Sequence, residues 1–156
     1  MKKISIAIPA YEMKGYGNQY LKELFLSIQK QTYKNIEVIV SDHSKNNDIL
    51  ELCSSYSNDL PITYVRNFYD YGNGPANTNV AIQHCTGDII KVMFSDDLFT
   101  DSFSLEKIRQ RFVDTDASWV VTGFSHTRDG KNFYRPMIPR WSCLLYTSDA
   151  ADDLYR

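Results

Sequence analysis

The chain has 156 residues, 43% of them hydrophobic and 23% charged, with a formal net charge of -2. That is the balance of one soluble domain large enough for a real core. The small charge and the lack of any Lys/Arg run argue against nucleic acid as a partner, and no apolar run reaches the length of a membrane span.

Cys53, Cys85 and Cys143 are odd in number and lack metal-type spacing, which reads as free thiols of a reducing compartment. Met1-Lys2-Lys3-Ile4 enters a strand-like segment at once, too short for a signal peptide. The expectation is a cytoplasmic domain, with peripheral association at the inner face of a membrane left open.

In chain order, Ile4 to Ile8 alternates apolar with small residues and reads as a strand that Pro9 ends. A Gly-containing loop runs from Tyr11 to Gly17, and Asn18 is the expected N-cap of a helix to about Gln31, with Leu21, Leu24, Phe25 and Ile28 on one stripe. Ile36 to Val40 is a second strand, Asp42 to Asn47 a polar loop, and Ile49, Leu52, Cys53 and Tyr56 mark another helix. Ile62 to Val65 is a third strand. The Gly-rich loop Asp70 to Pro75 leads into a short helix, Ala76 to His84, with Val80 and Ala81 on its buried face. Asp88 to Phe94 is a fourth strand, Asp101 or Ser102 opens a helix carrying Leu105, Ile108 and Phe112, and Ser118 to Phe124 is a fifth strand. Such alternation predicts a mostly parallel sheet covered on both faces, with the ligand at the carboxyl ends of the strands. Pro9-Ala10-Tyr11-Glu12, Ser41-Asp42, Arg66-Asn67 and Ser95-Asp96-Asp97 occupy those ends. From about Cys143 the chain continues no earlier pattern; residues 1–142 are read as the domain and 143–156 as a non-native tail.

Two adjacent carboxylates at a strand end repel and attract a cation or N–H donors. Mg²⁺ or Mn²⁺ held by Asp96 and Asp97 would bridge a diphosphate; the alternative is a pair of acids at the start of the helix that follows. Asp42 can accept hydrogen bonds from a base or ribose, or can simply form an Asx turn, and His43 beside it reads as a surface loop residue. Gly72 and Gly74 allow close backbone approach, with Asn79 in the first helical turn able to reach the site; this is neither a Walker loop nor a dinucleotide fingerprint.

Together these stretches resemble the N-terminal part of family 2 glycosyltransferases: Ile4 to Tyr11, Leu26 to Val40, Ser41-Asp42-His43-Ser44, Gly74 to Asn79, Thr86-Gly87-Asp88 and Ser95-Asp96-Asp97, in order and spacing over about Lys3 to Phe124. The resemblance implies an α/β, Rossmann-like GT-A fold: a three-layer sandwich with a mostly parallel central sheet, incomplete at the C-terminus. It implies that Pro9, Ala10, Tyr11 and Glu12 line a nucleotide-base pocket, that Asp42 contacts base or ribose, that Asn79 and Ser95 lie near the donor, and that Asp96 and Asp97 bind a divalent metal, Asp97 directly. The donor is a nucleotide sugar, often a UDP-sugar; the acceptor is a polysaccharide, lipid or protein, as in cell-envelope biosynthesis; the anomeric centre inverts. The chain departs from the family pattern in carrying one acid at Ser41-Asp42-His43-Ser44, Thr78 where an Arg is common, and Phe94 where the acidic motif often begins.

An inverting enzyme needs a carboxylate to deprotonate the acceptor. Asp129 reads as a hairpin-turn residue, and His126 and Arg128 read equally as surface or acceptor-side residues. The expectation is a fragment cut before its catalytic base. Two rivals stand beside this reading: a nucleotidyltransferase, which would place a basic Gly-rich loop after the first strand, and a non-catalytic nucleotide-sugar-binding module.

Overall fold

The structure, a computed structural model, describes residues 2–115, 117–129 and 131–137; Cys143 and the segment 143–156 lie outside them. It divides into two units, Met1–Ser118 and Trp119–Arg156.

In the first unit, seven consecutive residues, Ile4–Ala10, form β1, buried from end to end. A strand buried on both faces belongs in the middle of a covered parallel sheet. β1 pairs in parallel with β2 (Ile36–Asp42) on one side and β4 (Ile89–Val92) on the other, and β3 (Ile62–Arg66) lies outside β2, giving the order β3-β2-β1-β4. The register Ile4↔Ile36 through Ala10↔Asp42 keeps side chains of one parity on one face. On that face Ile4, Ile6, Ile8, Val38 and Val40 pack with Leu21, Leu24, Phe25 and Ile28 of α1 (Gly17–Gln29), Ile49 and Cys53 of α2 (Asp48–Ser55), and Leu105 and Ile108 of α4 (Ser104–Thr115). The opposite face carries small residues, Ser5, Ala7 and Pro9, which let α3 (Gly74–Gln83) approach with Asn77 and Ala81 buried. Among the described residues no helix is long and apolar enough to cross a membrane.

Several boundaries differ from the sequence expectation. β1 runs through Pro9. Lys3 and Ala7 direct their carbonyls to β4, and Ile4 and Ala10 direct their polar groups to β2, so the Pro9 nitrogen faces the β4 side, where β4 pairing has ended at Val92. The missing N–H therefore removes no ladder bond. α1 starts at Gly17 with Tyr16, not Asn18, at the N-cap: Gly17 N donates to Glu12 O at 3.0 Å, and a Cβ there would lie 2.3 Å from Tyr11 O, so the chain turns one residue early. A single 3-10 turn, Met13–Gly15, precedes it, with Met13 and Lys14 at positive φ. His43 is buried, not on the surface, because Ala10 O binds its N–H and its Nε2 lies 3.0 Å from Tyr69 O. On α3, Asn77 rather than Val80 faces inward with Ala81.

The expected fifth strand is absent from the parallel sheet. In the second unit β5 (Phe124–Thr127) pairs antiparallel with β6 (Phe133–Met137). The turn chemistry decides this locally: Asp129 accepts from Lys131 N at 2.9 Å, Asn132 N at 2.8 Å and Thr127 Oγ1 at 3.2 Å, bonds that hold its carboxyl well below the usual range. Asp129 thus shapes the turn, as its position suggested.

The amino ends of the strands are stapled by Glu37. It accepts from Lys3 Nζ at 2.6 Å, Ser5 Oγ at 2.5 Å and Thr86 N at 2.7 Å. Burial works to raise its pKa, but these bonds outweigh it and lower it from 4.5 to about 2. Gly87 N donates to Ser5 Oγ at 2.8 Å, and Asp88 accepts from Lys3 N at 2.7 Å. Thr86-Gly87-Asp88 is therefore a clasp on β1, at the opposite end from the crevice.

Two expectations follow. A Cβ on Gly87 would meet Lys3 O at 2.8 Å and Ser5 N at 2.9 Å; Gly87→Ala should destabilise by about 1–3 kcal/mol in urea unfolding. Because the folded pKa of Glu37 is depressed, its contribution is present above pH 4.5 and is lost as pH falls from there toward about 2. Unfolding free energy measured across that window should fall more steeply in the wild type than in Glu37→Gln.

Candidate functional site

The sheet changes winding direction between β1 and β4, the place where an open α/β sheet opens a crevice at its carboxyl edge. Past Val92 the two strands part, and Ser95, 3% exposed, bridges the gap by donating Oγ–H to Pro9 O at 3.1 Å. Asp96 and Asp97 follow at once and both are exposed. Asp97 Oδ2 accepts from Phe94 N at 2.9 Å, while Asp97 N donates to Phe94 O at 3.0 Å, which closes a tight turn. Among the described residues the Asp96 carboxylate has no hydrogen-bond or ion-pair partner. α4 begins only at Ser104, with Asp101 accepting from Phe103 N at 2.8 Å. The pair is thus too far upstream to serve as the first-turn acids of that helix. Burial lowers the pKa of Lys91 on β4, and the charge of Asp97 pulls it back up, so a cation already senses this acid.

No group of three or more His, Cys, Asp or Glu among the described residues could hold a metal ion. An all-protein cage is therefore not what these residues form. A divalent ion held by one or two carboxylates and completed by phosphate oxygens fits them.

On the other side of β1, Asp42 is fully buried and has protein partners throughout. Its Oδ1 accepts from Ser44 N at 2.7 Å, its Oδ2 from Tyr64 OH at 2.7 Å, and Arg66 lies 3.6 Å away. Burial, then the hydrogen bond and charge of Asp42, push the Tyr64 phenol well up, with Arg66 offsetting part. Burial and the same charge raise the Cys53 thiol to about 12, which leaves it protonated and inert. Arg66 also donates to Ser44 O at 2.6 Å and Asn46 O at 2.8 Å, fastening the β2 loop.

Asn77 joins the strand ends. Its Nδ2 donates to Ala10 O at 3.1 Å and Ser41 O at 3.0 Å; its Oδ1 accepts from Ser41 Oγ at 2.7 Å and Asn67 Nδ2 at 3.1 Å. Asn67 N in turn donates to Asp42 O at 2.9 Å. The helix that carries Asn77 is started by Asn73, whose side chain accepts from Ala76 N, with Pro75 in the first turn. Asn79, expected near the site, is exposed on that helix. Pro9 and Ala10 are buried, Tyr11 is half exposed, and Glu12 accepts from Tyr71 OH at 3.3 Å while its Oε2 is buried without a partner among the described residues. Tyr71, between Asp70 and Gly72 at positive φ, stacks 5.7 Å from His43 and lies under Lys45. The structure thus brings Pro9, Ala10, Asp42 and Ser95 together by direct bonds or register, and leaves Asn79 outside that network. His126 and Arg128 are exposed in the second unit.

Sequence patterning missed Asn77 and the Tyr64–Asp42–Arg66 triad. The spacing of Asn77 and Ala81, four apart on one helical face, was the available signal. Asn77→Leu should cost about 2–4 kcal/mol in chemical unfolding, since it removes four buried hydrogen bonds at the strand ends, whereas Asn79→Ala should stay within about 0.5 kcal/mol.

Residues 5–154 match the family model described as Glycosyl transferase family 2. The chain is 27% identical over 132 residues to glycosyltransferase GlyG of Streptococcus pneumoniae serotype 4, covering 84% of this chain and 42% of that protein. It is 34% identical over 98 residues to an uncharacterized glycosyltransferase of Rickettsia conorii, covering 62% and 15%. The chain thus spans less than half the length of these relatives. The structure of S. aureus TarS 1–349 in complex with UDP-GlcNAc superposes with a TM-score of 0.64 at 25% identity, over 73% of this chain and 32% of that one. The mannosyltransferase PcManGT from Pyrobaculum calidifontis, in complex with GDP-Man and Mn²⁺, shares the fold with a TM-score of 0.61 at 22% identity, over 73% and 33%. The four parallel strands and their flanking helices are the GT-A arrangement of these glycosyltransferases, and the chain belongs to glycosyltransferase family 2.

Proposed function

We propose that this chain binds a nucleotide-sugar donor at the carboxyl edge of β1, β2 and β4, and that it does so as part of an inverting, metal-assisted glycosyltransferase acting on a polysaccharide, lipid or protein acceptor. The observation that carries the proposal is Ser95 bonded to Pro9 O with Asp96 and Asp97 immediately after it. This seats two carboxylates at the mouth of the crevice, that of Asp96 without a partner among the described residues. The nucleotide-sugar complexes of TarS and PcManGT support it, and the Mn²⁺ of the latter supports a metal between the acids and a diphosphate.

On this reading Asp97 and Asp96 would hold the ion, which supplies positive charge as the sugar–phosphate bond breaks. Pro9, Ala10, Tyr11 and Glu12 line the base side. Asp42 acts mainly by holding the loop that shapes that side, because its oxygens are already taken by Ser44, Tyr64 and Arg66. A UDP-sugar is the proposed donor, as in the UDP-GlcNAc complex of TarS. No residue described is assigned as the base that deprotonates the acceptor.

Titration calorimetry with UDP-GlcNAc and GDP-mannose, each with and without Mn²⁺, tests this. Binding of at least one donor, strengthened by Mn²⁺ and weakened about tenfold or more by Asp97→Asn, is the expected result. The absence of any donor binding in the presence of Mn²⁺ would refute it.

A further inference from the structure

Gln31 lies just past the last turn of α1 and is only 1% exposed. A buried primary amide must find partners, and it finds them in the segment after the two acids. Its Nε2 donates to Asp101 O at 2.8 Å and to Ser27 O at 3.3 Å, and its Oε1 accepts from Leu105 N at 3.0 Å. Two neighbours hold the same segment: Thr32 N donates to Ser102 O at 2.8 Å, and Ser27 Oγ accepts from Phe99 N at 3.2 Å. The stretch between β4 and α4, Met93 to Phe103, has no helix or strand of its own. It is fastened at one end by Ser95 on Pro9 O and at the other by Gln31.

We infer that Gln31 is a positioning residue for the acidic loop: as the distal anchor, it holds Asp96 and Asp97 in one arrangement at the crevice. An irregular loop tied at one end alone keeps much of its conformational entropy, and a pair of carboxylates binds an ion with its phosphates well only when preorganised. Gln31 itself touches neither acid; it acts through the backbone at Asp101 and Leu105. The inference rests on the donor-site reading given above.

The test compares the full chain with Gln31→Met, which keeps volume and removes both polar groups, and with Gln31→Glu, which keeps the acceptor for Leu105 N and removes the amide donor to Asp101 O. Amide hydrogen exchange is read at Asp97, whose bond to Phe94 O Gln31 does not contact, and on β1 and β2. Mn²⁺-dependent and Mn²⁺-free affinities for UDP-GlcNAc and GDP-mannose are read in parallel. The expected result is exchange at Asp97 about tenfold faster with β1 and β2 unchanged, and a five- to tenfold loss (on the order of one lost buried hydrogen bond) confined to the Mn²⁺-dependent affinity. Uniform loss of protection across the sheet, unchanged exchange at Asp97, or equal loss with and without Mn²⁺ would overturn it. If the wild type binds neither donor, the donor reading fails separately, while exchange at Asp97 still decides whether Gln31 anchors the loop. If Gln31→Met does not fold, Gln31→Glu carries the same comparison.

Discussion

Asn77 uses its whole hydrogen-bonding capacity in one place. One side-chain amide donates to carbonyls on β1 and β2 and accepts from a hydroxyl and a second amide at the ends of β2 and β3. Where parallel strands leave the ladder, their last carbonyls would otherwise face one another across a dry gap. Asn77 fills that gap, which lets three loops start from fixed points. The small residues Ser5, Ala7 and Pro9 on the same face give α3 the room to deliver it.

Around that clamp the two ends of the sheet have different work. At the amino ends, Glu37, Lys3, Ser5 and Thr86 form a closed set in which each polar atom is answered by protein. At the carboxyl end of β2, Asp42 is locked among Ser44, Tyr64 and Arg66, while the Ser44 hydroxyl is left without a partner among the described residues. Among the described residues, Glu12 Oε2, Asn18 Oδ1 and Ser44 Oγ are buried without a hydrogen-bond partner, and Asp96 and Asp97 are exposed, Asp97 with one oxygen taken by Phe94 N. Rigid, satisfied polar networks surround the few groups left to meet a ligand, which is how a site holds its geometry before anything binds.

The alternation of strands and helices, and the placing of acids at strand ends, could be read from periodicity because the buried faces repeat with periods of two and 3.6. Four of the five expected sheet strands are present. The fifth was lost because exposed apolar residues such as Trp119 and Val121 mimic a strand without having a ladder to join. The details that escaped were those set by side chains answering buried backbone: Gly17 in place of Asn18 at the helix start, Asn77 clamping the strand ends, and His43 turned inward. Periodicity carries no information about which carbonyl lacks a donor. Asp42 shows the limit from the other direction: its position at a strand end was legible, but its burial behind Tyr64 and Arg66 was not, because those partners come from another strand.

Pro9 brings no N–H to the edge where β1 and β4 separate, and its carbonyl is already bound by Ser95. Pro9 thus adds no donor to the wall next to Asp96 and Asp97, where Lys91 on β4 answers part of the charge, unlike the amide-lined cradles that hold phosphates at helix starts. A lone polyanion approaching such a wall meets repulsion. On the proposed reading, nucleotide and cation would each bind more tightly in the presence of the other, a reciprocal linkage between donor and ion.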